Sequence, residues 1–136
     1  MSRDPDGDAA ATEHGLATTL LHIIGRDEWF AALAAGEPYL APDQGEVGFL
    51  HLSTPELVLV PANSFYRGRS DLVLLVVDPE RLSAELRFED GVPPVGDLQF
   101  PHLYGPLDLD AVVDVVAFPC GPDGGFSLPE SLTPGH

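Results

Sequence analysis

Apolar residues recur along the chain in short runs of strand length, separated by segments rich in glycine, proline and acidic residues. The run at 20–24 predicts the first strand, and the nearly continuous run at 71–77 predicts a central strand buried on both faces. Residues 85–89 alternate between polar and apolar, which is typical of a strand with one face in water. Further strands are predicted at 48–52, 112–118 and 126–128.

The segment 27–35 predicts a helix directly after the first strand. Trp29, Phe30 and Leu33 have the spacing of an apolar helix face, so we expect all three to pack inward. Gly36 follows at the position where glycine is favoured just past a helix end. A turn-rich link at 37–46 then leads to the second strand.

A second helix is predicted after the second strand. Ser53 and Glu56 have the spacing of a capping box, so we expect this helix to begin near Thr54. Pro61 lacks a backbone donor, which predicts a kink or an interruption that aims Arg67 at a cleft. Mixed strands, with helices after the first and second strands and no βαβ alternation, predict an α+β fold.

Length and composition indicate one domain of 136 residues, of which 44% are hydrophobic. Residues 1–17 carry four acids and one arginine and predict a disordered acidic tail, followed by the domain at 18–130 and a short tail at 131–136. The N-terminal stretch lacks the apolar segment of a secretory signal. The single cysteine, Cys120, excludes an internal disulfide and favours a reducing compartment, so we expect a cytoplasmic protein.

The net charge of −16 arises from 22 acidic residues against 6 basic ones, all of them arginine. Such a charge repels polyanions, so an extended nucleic acid is not an expected partner. No apolar run approaches the ~20 residues that a membrane helix needs, so no membrane partner is expected either. A small anion held by a local arginine is compatible with the charge, because salt screens charges beyond about 8 Å. The expected partner is therefore a small-molecule ligand, and no pattern points to a partner protein.

Three histidines, His22, His51 and His102, lie in or beside predicted strands. Because side chains alternate between the two faces of a strand, each imidazole is either buried or lines a cleft. The unperturbed pKa of histidine lies near neutrality, which suits general acid–base catalysis. The same three residues could form an open zinc site, but no spacing pre-arranges them as ligands, and we expect no metal. Buried structural histidines are the third interpretation.

Several motifs follow one another over most of the chain: Gly-Phe-Leu-His-Leu-Ser-Thr-Pro-Glu at 48–56, Ala-Asn-Ser-Phe-Tyr-Arg-Gly at 62–68 and Phe-Pro-His-Leu-Tyr-Gly-Pro-Leu at 100–107. Together with the His22 strand and Trp29, they resemble the family catalogued as domain of unknown function 952. The resemblance implies the compact fold of ADP-ribosyltransferases, a split antiparallel sheet whose central cleft binds NAD in the active enzymes.

The resemblance also implies roles for individual residues. His22 would hold a ribose hydroxyl of NAD, His51 would bind phosphate or act as an acid or base, and Arg67 would balance charge. His102 and Tyr104 would line the reacting end. Further ligand contacts are expected from Ser53, Asn63, Tyr66 and Arg67. The transferases usually place a glutamate late in the cleft, and this sequence has no obvious glutamate in that region.

The sequence thus predicts a transferase or nucleotide-binding protein that acts on NAD or a related ribose phosphate in a histidine-lined cleft. The main alternative is a catalytically inactive module that binds a small ligand or a partner, because the glutamate is missing. The other alternative is a metal-dependent enzyme with three histidine ligands. The fold does not decide among them, since one fold can host many functions.

Overall fold

A computed structural model of the protein describes residues 19–132. The predicted N-terminal tail with His14 lies outside the described residues, as do positions 133–136 of the predicted C-terminal tail with His136. In chain order the elements are β1 (Leu20–Gly25), α1 (Arg26–Ala35), α2 (Gln44–Val47), β2 (Leu50–His51), α3 (Leu59–Phe65), β3 (Leu72–Val77), β4 (Glu85–Asp90), β5 (Gln99–Tyr104) and β6 (Val112–Ala117). Single turns of 3₁₀ helix lie at Pro79–Arg81, Leu109–Ala111 and Glu130–Leu132.

Two antiparallel three-stranded sheets form the frame of the fold. The first has the strand order β1–β3–β6 and the second has the order β2–β5–β4. The sheets meet beside the end of β2, where the amide of Leu21 donates to the carbonyl of Ser53 at 2.7 Å and the amide of Ser53 donates back at 2.8 Å. These sheets, with few helices, confirm the predicted small α+β domain.

The core lies on both faces of the first sheet. Leu20, Ile24 and Leu75 belong to one buried cluster, which they share with Leu50 and Leu103 of the second sheet. The intervening residues of β1 and β3 pack in another cluster, against α3 and the segment after β6. Strand β3 is therefore buried on both faces, as its continuous apolar run predicts.

Helix α1 agrees with its predicted span and end but not with its predicted apolar face. Gly36 adopts the left-handed conformation, with φ of 71°, and its amide donates to the carbonyl of Ala32 at 3.2 Å. Trp29 is buried at 3% exposure, whereas Phe30 and Leu33 are 57% and 48% exposed. The face that packs on the core is centred on Trp29 and Ala32, so the apolar residues that follow each of them, Phe30 and Leu33, are left in solvent.

Helix α3 begins at Leu59, not near Thr54 as the capping motif predicts. The carbonyl of Thr54 accepts from two amides of a separate preceding turn, at 3.0 and 2.9 Å. Ser53 does not cap the helix, because its backbone pairs with Leu21 between the sheets. Pro61 lies in the first turn of α3, where backbone amides have no acceptor within the helix. It is therefore compatible with a helix start, and α3 continues through it to Phe65.

The strand predicted at 126–128 does not form. The amide of Phe126 donates instead to the side-chain oxygen of Asn63, at 2.8 Å. Within residues 19–132 no helix combines the length and apolar character needed to cross a bilayer. The longest of them, α1, has 10 residues, about half of what a membrane span requires.

Candidate functional site

His22 lies in β1 and is buried, with an exposed fraction of 8%. Its Nδ1 atom lies 2.8 Å from the backbone carbonyl oxygen of His51. A carbonyl oxygen only accepts hydrogen bonds, so Nδ1 carries the proton and Nε2 carries the lone pair. Burial lowers the pKa of His22 below its usual value, and this hydrogen bond opposes the shift in part. The ring is therefore neutral near pH 7, and its Nε2 has no hydrogen-bond partner among residues 19–132.

His22 and His51 line one cleft of about 470 Å³, which is walled by β1, β2, α1, α3 and the link before α2. Its other polar side chains are Glu28, Tyr39, Asp43, Ser53, Tyr66 and Arg69. Of the residues predicted from the sequence, the cleft brings together His22, His51, Ser53 and Tyr66.

Glu28 and Tyr39 form a hydrogen-bonded pair in this cleft. The hydroxyl of Tyr39 donates to Glu28 at 2.5 Å, and the Tyr39 ring centroid lies 6.0 Å from that of His22. Burial and this hydrogen bond raise the pKa of Tyr39, which keeps it a neutral phenol. The local sequence predicts neither residue as part of a site, since Glu28 resembles an ordinary first-turn acid and Tyr39 lies in a turn-rich link. The cleft thus has a glutamate, contributed by α1.

Arg69, and not Arg67, is the arginine at the cleft. Its guanidinium donates two hydrogen bonds to the carboxylate of Asp71, at 3.0 and 2.8 Å, and lies 5.9 Å from the Tyr66 ring centroid. Arg67 instead donates to the backbone carbonyl of Asp123, at 3.0 Å. The expectation that Arg67 is aimed at the cleft is therefore not met, since Arg67 does not line it.

Asn63 and Tyr104, which were also expected at the ligand, lie outside the cleft. Asn63 accepts from the Phe126 amide and so holds the segment after β6. The hydroxyl of Tyr104 donates to Glu89 at 2.5 Å, and this hydrogen bond raises the pKa of Tyr104. The Arg87 guanidinium lies 4.7 Å from the Tyr104 ring centroid, on the exposed face of β4 and β5.

A second cavity, of about 260 Å³, adjoins the cleft and is lined in part by His102. Both cavities are lined by His51, Ser53, Pro61, Phe65 and Val92. His22 lines the cleft and His102 the second cavity, so His51 lies between them. Burial lowers the pKa of His51 as well. The expected single site with three histidines is therefore two adjoining cavities that share one histidine.

His102 is the most buried of the described histidines, with 1% exposure. Its Nδ1 lies 2.9 Å from Oε1 of Glu89. Its ring stacks on Phe49 with centroids 3.9 Å apart and meets the His51 ring edge-on at 5.7 Å. Hydrogen bonds from Tyr104 and His102 hold the pKa of Glu89 below its usual value, so Glu89 is a carboxylate. A carboxylate only accepts hydrogen bonds, so Nδ1 of His102 carries a proton.

A metal site has no geometric support in the described part of the chain. Residues 19–132 contain no group of three or more histidine, cysteine, aspartate or glutamate side chains that could hold an ion. The three candidate histidines are divided between two cavities. An open zinc site needs three protein ligands around one ion.

The chain is similar to a protein family and to a solved protein. A family model described as a protein of unknown function (DUF952) matches residues 23–115. The crystal structure of protein CC0527 from Caulobacter crescentus is 36% identical, with a TM-score of 0.73 over 85% of this chain and 98% of that chain. A crystal structure of a double mutant of CC0527 has 35% sequence identity and a TM-score of 0.72, with the same coverage of both chains. The solution NMR structure of CC0527 has 35% identity and a TM-score of 0.67, and the match covers 79% of this chain and 90% of that chain. The comparison with curated proteins found no match.

Proposed function

The chain belongs to DUF952, a family of proteins of unknown function, and we propose that its cleft binds NAD or a related ribose phosphate as the substrate of a transferase. The observation that carries the proposal is the fixed orientation of the His22 imidazole by the His51 carbonyl. We place the protein in the cytoplasm, a reducing compartment in which the free thiol of Cys120 is stable.

A neutral His22 suits the recognition of a ribose. Its Nε2 lone pair accepts hydrogen bonds, and the hydroxyl groups of a ribose can donate them. The bond from Nδ1 to the His51 carbonyl already sets the plane of the ring, so little side-chain entropy is lost when a ligand binds. The Tyr39 ring lies beside His22 and adds an apolar surface for the sugar.

The dimensions and the other walls of the cleft fit a nucleotide. Its volume of about 470 Å³ lies within the range of ~300–1,000 Å³ that is usual for ligand sites. Phe65 and Tyr66 provide rings against which a base can stack. Arg69 provides a guanidinium for a phosphate, in the role expected for Arg67.

The same proposal extends to the type of fold. The two antiparallel sheets meet at Leu21 and Ser53, and helices follow the first and second strands. This arrangement supports a split antiparallel sheet of the ADP-ribosyltransferase type, whose central cleft binds NAD in the active enzymes. His22 and His51 lie beside that junction.

The proposed chemistry assigns different roles to His51 and Glu28. Because burial lowers the pKa of His51, it is neutral near pH 7 and suits a general base better than a phosphate-binding cation. Glu28 is the carboxylate that stabilises positive charge as it develops on the ribose, with Tyr39 setting its position. His102 and Tyr104 have no role in this reaction, since neither lines the cleft.

A catalytically inactive binding module is the second candidate. Glu28 is already bonded to Tyr39, and Arg69 is already paired with Asp71. Two of the three charged groups of the cleft, Glu28 and Arg69, are therefore satisfied without a ligand, which favours a site that binds and does not react. Substrate turnover separates the two candidates, because both predict that the ligand binds.

Thermal unfolding in the presence of NAD, ADP-ribose and inorganic phosphate tests the binding. We expect NAD and ADP-ribose to raise the melting temperature, since a ligand at 100 times its Kd stabilises the folded state by about 2.7 kcal/mol. His22→Ala should abolish most of that rise. Arg67→Gln is the matched control, since Arg67 bonds to Asp123 outside the cleft and its substitution should leave the rise unchanged.

Release of nicotinamide from NAD, followed by chromatography, tests the reaction. With water as the acceptor, His51 takes a proton from the water that attacks C1′ of the ribose, and the bond from C1′ to nicotinamide breaks, which releases nicotinamide and ADP-ribose. Glu28→Gln should slow that release while NAD still raises the melting temperature. Stabilisation without release would support the inactive module. If none of the three compounds stabilises the protein, the proposed function is wrong.

A further inference from the structure

The second cavity differs from the cleft because its walls are mostly apolar. They include Val60, Pro61, Phe65, Val92, Val95 and Phe100. Its volume of about 260 Å³ exceeds the ~150 Å³ that suffices to bind benzene in an engineered protein cavity. The cavity therefore has room for one aromatic or aliphatic ring.

His102 is a buried polar side chain among these apolar walls. The carboxylate of Glu89 fixes a proton on Nδ1, so the neutral tautomer of this ring has its lone pair on Nε2. That Nε2 has no hydrogen-bond partner among the described residues. Buried polar atoms are nearly always paired, so an acceptor in this position calls for a donor from outside the described residues.

We propose that the second cavity is a binding site for a small, neutral, apolar molecule with one hydroxyl group, an alcohol or a phenol. The ring or alkyl part of the ligand lies against the apolar walls, and its hydroxyl donates a hydrogen bond to Nε2 of His102. Glu89 is a positioning residue, because it fixes the tautomer and the orientation of the imidazole. Phe49 supports the ring by stacking on one of its faces.

The surrounding charges favour a neutral ligand. An acid would be repelled by the Glu89 carboxylate, which lies 2.9 Å from the other nitrogen of the same ring, and by the net charge of −16. An ammonium ion would lose its hydration against the apolar walls, where no carboxylate lines the cavity. A hydroxyl supplies the required donor with no charge to bury. The second cavity adjoins the proposed NAD cleft and shares His51, Ser53, Pro61, Phe65 and Val92 with it, but this inference does not rest on the proposed function.

Titration of protein labelled with ¹⁵N in its histidines tests this site, with phenol as the probe and benzene as the analogue without a hydroxyl. Phenol is expected to shift the Nε2 resonance of His102 saturably, and benzene to leave it unchanged. His102→Phe keeps a ring against Phe49 but removes the acceptor. It should weaken phenol binding about three- to tenfold and leave benzene binding unchanged.

Two matched tryptophan substitutions locate the binding. Ser64 is exposed and lines the second cavity, so Ser64→Trp should fill the cavity and abolish phenol binding. Ser127 is exposed and lines neither cavity, so Ser127→Trp should leave binding unchanged. Equal affinity for phenol and benzene, an Nε2 resonance that phenol does not shift, or binding that survives Ser64→Trp would each overturn the proposal. If His102→Phe fails to fold, the change in the Nε2 resonance of the wild-type protein on titration with phenol still tests the proposal.

Discussion

The Nδ1 atom of His22 donates to the backbone carbonyl oxygen of His51, 2.8 Å away, so one candidate residue is oriented by the main chain of another. The pairing of Leu21 with Ser53 brings β1 against the end of β2 and places that carbonyl within reach. Because the acceptor is a backbone group, the orientation of the His22 ring does not depend on the side chain of His51. Substitution of the His51 side chain should therefore leave the His22 tautomer unchanged.

Stability should fall between pH 7 and pH 5 because of His22 and His51. Burial lowers the pKa of both in the folded protein, so below about 6.5 the unfolded chain binds protons that the folded protein does not. The free energy of unfolding then decreases as the pH falls, by at most about 1.4 kcal/mol per pH unit for each histidine. Urea denaturation at pH 7, 6 and 5 measures this loss.

His22→Asn is the matching variant, since an asparagine amide can still donate to the His51 carbonyl but does not titrate. Its loss of stability over the same range should be smaller than that of the wild type. The range stops at pH 5 because two carboxylates also lose their contributions to stability at lower pH. Hydrogen bonds from Arg69 and Tyr104 lower the pKa values of Asp71 and Glu89, respectively, in the folded protein. Equal losses in the two proteins would contradict the prediction.

Local periodicity predicts most of the strands and the first helix, because those elements depend on residues near in sequence. The run at 71–77 becomes the central strand β3, and Gly36 ends α1 in the conformation that glycine favours. The start of α3 is not predictable in this way. Ser53 has the spacing of a cap, but its backbone pairs with Leu21, a contact between distant parts of the chain.

In the candidate site, too, the local sequence predicts some features, and others depend on contacts between distant parts of the chain. His22 and His51 are recognisable from their strands, and the structure places both in one cleft. Their hydrogen-bonded neighbours are harder to find, since Tyr39 contacts Glu28 across 11 positions and His102 contacts Glu89 across 13. Such pairs depend on strand register and helix placement, which no local pattern specifies.

Trp29 and Phe30 are adjacent in α1 but should differ greatly in their contribution to stability. Trp29 is buried in the core, so Trp29→Ala should lower the free energy of unfolding by about 3–5 kcal/mol. Phe30 is exposed, so Phe30→Ala should change it by less than about 0.5 kcal/mol. Urea denaturation of the two variants at pH 7 makes the comparison. Similar losses would mean that Phe30 packs against something beyond the described residues.

Gly36 and Gly45 both have open space where a Cβ atom would lie, but only Gly36 has a positive φ, of 71°. Gly36→Ala should therefore destabilise the protein by about 1–2 kcal/mol through backbone strain, with no steric clash. Gly45 lies inside α2, where alanine is favoured over glycine by about 1 kcal/mol, so Gly45→Ala should be neutral or stabilising. Thermal unfolding that shows equal shifts for both variants would exclude strain as the cause.

Arg69 should strengthen the binding of an anionic ligand, and Arg67 should not. Arg69 lines the cleft with its guanidinium paired to Asp71, and a bound phosphate would share that guanidinium. Calorimetric titration of ADP-ribose into Arg69→Gln should show affinity reduced about three- to tenfold and a weaker dependence on salt, because a screened charge pair is lost. Arg67→Gln removes the same charge outside the cleft, so its affinity should equal that of the wild type. Equal weakening in both variants would indicate only a general change of net charge.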